Sequence, residues 1–114
     1  MLAFRTLLVL MIGVVLVYTG VVGATHGWRL LPVFFGDIAA MTWPGQFNLD
    51  FSCMLVFSGL WLAWRHHFTP AGLALGLLGA VGGTLVLAPY LLVASVQAQG
   101  DPKVMLLGKR RAAG

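Results

Sequence analysis

The amino-acid sequence predicts an all-α fold, an integral membrane bundle of three transmembrane helices. Of its 114 residues, 60% are hydrophobic and 9% are charged, which is too apolar for a water-soluble domain of this size. The apolar residues form three long runs, and in a bilayer only helices or a closed barrel satisfy the backbone polar groups. Runs of this length favour helices. We therefore expect a single membrane domain over residues 1–114.

The first predicted transmembrane helix covers residues 6–23. Its 18 residues would span about 27 Å as a helix, close to the thickness of a hydrocarbon core. A cleaved signal peptide is the alternative, because Arg5 precedes the run and Val22-Gly23-Ala24 fits a cleavage site. The apolar run is longer than that of a usual signal sequence, which favours a retained helix.

Residues 25–46 form a predicted interfacial loop. Glycine, proline and polar residues interrupt the apolar pattern every few positions, and Pro44-Gly45 is a turn signal. Residues 30–41 carry enough apolar surface to lie along the membrane interface but are too few to span it. The loop is therefore expected to contain a short interfacial segment.

The second predicted transmembrane helix covers residues 47–64, and the third covers residues 71–97. The third is 27 residues long, more than one crossing needs, so it is expected to tilt, protrude or kink at Pro89. A basic tail over residues 99–114 is expected to fray at its end. Its cations, together with Arg29, favour a cytoplasmic C-terminus in a bacterial inner membrane under the positive-inside rule.

Small residues repeat on one face of each predicted helix. In the third helix the glycines are spaced by four, three and four residues, which places them on one narrow face. In lipid, helices associate through close backbone approach, which small residues permit. The three faces are therefore predicted to converge on one core, with helix packing at Gly13, Gly20, Ser52, Gly59, Gly72, Gly76, Gly79 and Gly83. For the first helix alone, the alternative is that glycine is simply frequent in membrane helices.

Three crossings would bring several polar residues to one side of the membrane. This predicted polar cluster consists of His26, Arg29, Asp37, Asp50 and Gln97. Asp50 stands out because it lies inside the second apolar run, on the face opposite Ser52. Three interpretations stay open for Asp50: stabilisation by free N–H groups of the helix N-terminus, pairing with Arg29 or a donor in the loop, or an ion or proton role.

The sequence predicts no catalytic, cofactor or metal site. It contains no Glu, no CxxC, no HExxH, no phosphate-binding glycine loop and no nucleophile elbow. Cys53 is the single cysteine, so no intramolecular disulfide forms. His66 and His67 end the second helix, far from His26, and adjacent histidines point in different directions. We interpret them as interfacial polar residues, with proton or metal chemistry as the alternative.

Short motifs along most of the chain are shared with a known family. They are Tyr18-Thr19, Gly27, Pro32, Trp43-Pro44, Leu49-Asp50-Phe51, Trp61, Gly83, Tyr90-Leu91 and Leu106-Leu107. On these motifs the chain resembles a family of small multi-helix membrane proteins of unknown function found in plants and bacteria. The resemblance implies that Asp50 and the loop around Trp43 belong to the family's pattern, and it implies no activity. The basic run from Lys109 to Arg111 departs from that pattern.

The sequence favours a non-catalytic accessory or scaffold subunit of a larger membrane assembly, without a cofactor. Membrane lipid and other membrane subunits, or further copies of the chain, are the expected partners. Nucleic acid is not an expected partner, because the positive charge clusters beside the last apolar run, where attraction to anionic lipid headgroups accounts for it. The alternative is a small transporter, channel or lipid-binding protein that uses the polar cluster as its site. A third hypothesis is an enzyme acting on a lipid or quinone, with His26 and Asp37 or Asp50 as an acid-base pair.

Overall fold

The structure, a computed structural model, describes residues 1–113, and this part of the chain is all-α. Six helices follow one another: α1 (Leu2–His26), α2 (Leu30–Ala40), α3 (Trp43–Arg65), α4 (Pro70–Gly82), α5 (Thr84–Gln97) and α6 (Pro102–Ala113). The all-α prediction is confirmed. With 25 and 23 residues and mean hydropathies of 2.5 and 1.3, α1 and α3 are long and apolar enough to cross a membrane. The four other helices are shorter.

The third predicted transmembrane helix, over residues 71–97, is divided in the structure into α4 and α5. The division lies at Gly83, with φ +59° and ψ −142°, a backbone conformation that residues with a Cβ rarely adopt. Pro89, the predicted kink, lies inside α5 instead. The prediction of one long helix with a kink at Pro89 is therefore wrong, because the glycine provides the break six residues earlier.

The two halves form a hairpin that turns back at Gly83. Thr69, which precedes α4, and Gln97, which ends α5, line one cavity together with Arg65. A continuous helix from Thr69 to Gln97 would hold these residues about 40 Å apart. A Cβ placed on Gly83 would lie 3.0 Å from Phe51 Cζ, and Phe51 is about 20 Å along α3 from Arg65. The hairpin thus follows α3 for roughly half of a membrane's thickness and returns.

α4 packs antiparallel against α3 through small residues. A Cβ on Gly59 would meet the carbonyl oxygen of Gly76 at 2.5 Å and Ala80 Cβ at 3.0 Å, and one on Gly79 would meet Leu62 Cδ1 at 2.5 Å. The Leu62 side chain is fully buried at this contact. The predicted small faces of the second and third helices therefore do lie against each other, at backbone-to-backbone distance.

α1 packs antiparallel against α5, and only over part of its length. Arg5 Nε donates to Ser95 Oγ and Arg5 Nη2 donates to the Ser95 carbonyl oxygen, both at 3.0 Å. Farther along α1, a Cβ on Gly13 or Gly20 would have no neighbour within 4 Å. The predicted convergence of three small faces is therefore not seen. Counting 100° per residue places both glycines more than about 100° around α1 from Leu8, which is buried. They therefore lie on a face of α1 that α5 does not cover.

α2 lies beside the start of α3 and falls within residues 30–41, the segment predicted to lie along the membrane interface. Asn48 Nδ2 donates to the Phe34 carbonyl oxygen at 3.2 Å, and Gly45 is buried where a Cβ would collide with the backbone of Asp37. We call this end of the molecule, formed by residues 26–46, the loop end. The opposite end, formed by the N-terminus, residues 65–69, the end of α5 and α6, is the tail end.

Candidate functional site

The structure separates the five residues of the polar cluster. His26 ends α1, Arg29 precedes α2, Asp37 is on α2, and Asp50 is exposed near the start of α3. All four belong to the loop end or the adjoining part of α3. Gln97 lies at the tail end, beside His66 and His67. The physical reason is the hairpin, which returns the end of α5 to the place where α4 begins.

Arg65, the last residue of α3, joins three helices at the tail end. Its guanidinium donates to the carbonyl oxygens of Met105 (Nε, 2.7 Å) and Val104 (Nη2, 3.4 Å) on α6. Nη1 donates to the hydroxyl of Tyr90 on α5 at 2.7 Å, and the guanidinium carbon lies 5.5 Å from the centre of that ring. Each of these hydrogen-bond partners is neutral, so the positive charge of Arg65 is solvated but not cancelled.

The docking of α6 explains why the basic tail is helical from Pro102 to Ala113. Residue 114 lies outside the described residues, and the fraying expected at the end of the tail stays a prediction. Helical geometry is interrupted at Gly108 (φ +81°, ψ +163°), which leaves the carbonyl groups just before it without their usual helical donors. Two residues of α3 supply the missing donors. Arg65 donates to the carbonyl oxygens of Val104 and Met105, and Trp61 Nε1 donates to the Leu106 carbonyl oxygen at 3.1 Å. Beyond the interruption, the Arg111 guanidinium carbon lies 3.9 Å from the centre of the Trp64 ring, a cation–π contact.

The Tyr90 hydroxyl is also in contact with His66. The hydroxyl oxygen is 2.5 Å from His66 Nε2. A phenol hydroxyl both donates and accepts, so this contact is satisfied by a neutral imidazole and requires no positive charge on His66. Burial, and then the neighbouring charge of Arg65, lower the pKa of His66. At neutral pH His66 is therefore a hydrogen-bonding group and not a cation.

A cavity of about 380 Å³ opens between the end of α3, the start of α4, the end of α5 and α6. We call it the basic cavity. Of the described residues that line it, none is acidic, and five are basic: Arg65, His66, His67, Lys109 and Arg110. Thr69 and Gln97 add polar groups. Thr69 also begins α4, since its Oγ1 accepts a hydrogen bond from the Gly72 N–H at 3.2 Å.

Sequence reasoning missed the basic cavity because three crossings would place Arg65 and Gln97 on opposite sides. One signal for it was present, namely Gly82-Gly83-Thr84 near the middle of an apolar run that is too long for one crossing. Within residues 1–113 no group of three or more His, Cys, Asp or Glu side chains is placed to hold a metal ion.

Compared with protein-family models, curated proteins and solved structures, the chain matches none. Its resemblance to the family of small multi-helix membrane proteins therefore stays a prediction. The function is argued below from geometry alone.

Proposed function

We propose that the protein is a non-catalytic integral membrane protein that serves as an accessory or scaffold subunit of a larger assembly. In this proposal α1 and α3 cross the bilayer, and α4 and α5 enter it from the tail end as a re-entrant hairpin in place of a third crossing. In the most apolar 18-residue windows of α1 and α3, only 11% and 17% of the window is buried within the protein. A core helix of a soluble protein is mostly buried, so these surfaces favour a surrounding of lipid or other membrane helices.

The environment of Gly83 supports the re-entrant hairpin. A non-helical backbone at membrane depth is tolerated where protein covers it. A Cβ on Gly83 would lie 3.0 Å from Phe51 Cζ and 3.6 Å from Leu55 Cδ2, so two side chains of α3 pack over the turn. The break in the helix is therefore shielded from acyl chains on this side.

The distribution of cations supports an orientation with both termini in the cytoplasm. One cation, Arg29, belongs to the loop end. The other six belong to the tail end: Arg5, Arg65, Lys103, Lys109, Arg110 and Arg111. Cations near the ends of membrane helices are concentrated on the cytoplasmic side. The proposal keeps the cytoplasmic C-terminus expected from the sequence and places the N-terminus beside it.

The observation that carries the accessory role is the uncovered glycine face of α1. Nothing lies within 4 Å of a Cβ on Gly13 or Gly20. An apolar groove of about 730 Å³ follows this part of α1, lined by Val9, Leu10, Gly13, Val14, Val17, Tyr18 and Val21. A surface without side-chain bulk lets another helix approach closely, and close packing is a main source of helix affinity in lipid. The groove fits a transmembrane helix of a partner subunit.

Site-specific photo-crosslinking in native membranes tests this role. A photoreactive side chain at Val17, in the groove, is expected to give an adduct of one discrete mass. The double variant Gly13→Leu/Gly20→Leu adds bulk inside the groove at residue 13 and on the same uncovered face at residue 20, and it should abolish that adduct. The matched control is the same photoreactive side chain at Phe57, an exposed position on α3, which should label lipid only. Equal labelling at both positions, or an adduct containing only a second copy of this 12.2 kDa chain, would contradict a partner subunit.

The alternative function, a transporter, channel or lipid-binding protein with the polar cluster as its site, has less support. Gln97 lies at the other end of the molecule from His26 and Arg29. For lipid binding, the basic cavity is a better candidate site than the polar cluster.

A further inference from the structure

We propose that the basic cavity binds the phosphate group of an anionic phospholipid from the cytoplasmic leaflet. The proposal rests on the embedding of α1 and α3 in a bilayer, which is part of the proposed function. It does not depend on a partner subunit.

The first argument is uncompensated positive charge. Lys109 and Arg110 line the cavity from α6, and Arg65 lines it from α3. The three hydrogen bonds of the Arg65 guanidinium go to two carbonyl oxygens and one hydroxyl, and none of the described lining residues is acidic. A phosphate would supply the missing negative charge and would accept charge-assisted hydrogen bonds from Lys and Arg.

The second argument is that neutral donors converge on the same cavity. The His66 imidazole lines the cavity, and its Nε2 is in contact with the Tyr90 hydroxyl, which leaves Nδ1 as the ring nitrogen that can contact a ligand. The Gln97 amide also lines the cavity. The N-terminus of α4 begins beside Thr69, and the positive end of a helix dipole favours an anion there. These groups come from the end of α3, the start of α4 and the end of α5, which the hairpin brings together.

The third argument is size and depth, which favour a lipid over a free ion. At about 380 Å³ the cavity falls in the range of small-molecule sites and has room for a whole phosphodiester headgroup. It lies at the end of α3, whose last two turns carry Trp61 and Trp64, and tryptophan is a residue type that marks the membrane interface. Lipid phosphates occupy this level, and basic pockets at the cytoplasmic ends of membrane helices bind acidic headgroups.

Lipid retention measured by native mass spectrometry tests the proposal. The full chain is released from nanodiscs that contain phosphatidylcholine and phosphatidylglycerol, and the affinity for phosphatidylglycerol is obtained by varying its fraction. The wild-type protein is expected to keep one phosphatidylglycerol per chain. In Lys109→Gln/Arg110→Gln the affinity should fall about fivefold for each cation, hence on the order of 25-fold.

The matched control is Arg29→Gln/Lys103→Gln, which removes the same amount of charge outside the cavity and should bind like the wild type. Because the double variant Lys109→Gln/Arg110→Gln could also undock α6, a second variant, Gln97→Glu, changes the cavity without altering α6. Glutamate has the same shape as glutamine, residue 97 is exposed, and the new carboxylate places a negative charge in the cavity. This variant should also lose phosphatidylglycerol. Unchanged retention in both cavity variants would overturn the proposal.

Two further measurements identify the source of the phosphate and separate the two proposals. Inorganic phosphate alone is titrated against the lipid-loaded protein and should not displace phosphatidylglycerol. Saturable displacement would overturn the assignment to a lipid. Carbonate extraction of native membranes shows whether each variant is embedded. A protein that resists extraction but retains no phosphatidylglycerol overturns the lipid site alone, whereas wild-type protein released by carbonate overturns the proposed embedding.

Discussion

Arg65 and Tyr90 show how single side chains organise the tail end. Arg65 ends an apolar helix and donates to carbonyl groups of α6 that the break at Gly108 leaves free. Tyr90 accepts from Arg65 and is in contact with His66 Nε2. These groups are half-buried, and polar groups removed from water are costly to leave unpaired, so each partner depends on the others.

Arg65→Gln should release α6. Hydrogen bonds to a charged group contribute about 1.5–3 kcal/mol, so their loss should raise the undocked population of α6 about tenfold or more. Trypsin cleavage at Lys109 and Arg110, followed in detergent, measures this population. Arg29→Gln, at the loop end, is the control and should leave the cleavage rate unchanged. Equal rates in the two variants would mean that Arg65 does not hold α6.

The lowered pKa of His66 predicts a pH dependence of stability. Because the pKa is about 6.5 in the unfolded chain and lower in the folded protein, the unfolded chain binds more protons as pH falls through this range. The contribution of His66 to stability is therefore present above about pH 6.5 and lost below it. Thermal unfolding at about pH 7.5 and about pH 5.5 should show a smaller decrease in Tm for His66→Gln than for the wild type. His26→Gln is the control and should show the same decrease in Tm as the wild type. If His26→Gln instead showed the smaller decrease expected for His66→Gln, the pH dependence could not be assigned to His66.

Among the helices, glycine has two different uses that look alike in sequence. Gly59 and Gly76 bring α3 and α4 to backbone contact, where a Cβ on Gly76 would lie 2.8 Å from the Gly59 carbonyl oxygen. Gly13 and Gly20 on α1 face open space in the isolated chain. Glycines on a small-residue face thus belong to a closed contact in α3 and α4 and to an uncovered surface in α1.

Gly76→Ala should destabilise the α3–α4 contact, whereas Gly20→Ala should not. The new methyl group at residue 76 meets backbone, which cannot rotate away, and overpacking typically costs about 1–3 kcal/mol. Both variants gain the same helix propensity from alanine, about 0.5–1 kcal/mol, so the comparison cancels it. Reversible denaturant unfolding in detergent measures the difference. A free energy of unfolding for Gly76→Ala at or above that of Gly20→Ala would contradict the tight contact.

At the scale of the whole molecule, the hairpin decides which residues share a side of the membrane. With three crossings, the tail would lie on the side of the first loop. With two crossings and a hairpin, the tail lies on the side of the α3–α4 connection. The two arrangements therefore differ in the position of α6 relative to Trp28 and Phe68.

Cysteine accessibility in oriented vesicles distinguishes these arrangements. In a background with Cys53→Ser, single cysteines replace Trp28, Phe68 or Lys103. A membrane-impermeant thiol reagent should label the cysteines at residues 68 and 103 from the cytoplasmic side and the cysteine at residue 28 from the opposite side. Labelling of residues 28 and 103 from the same side would restore three crossings.

Local composition by itself determined the all-α fold, the two long apolar helices α1 and α3, the short segment near α2 and the small faces of α3 and α4. Each follows from hydropathy or spacing within one stretch of chain. Tertiary structure alone decided that the last apolar run turns back at Gly83, beneath Phe51 and Leu55, and therefore that Arg65, Gln97 and α6 share a cavity. A glycine in an apolar run is equally suited to packing and to turning. The choice depends on which side chains cover it, and those belong to another helix.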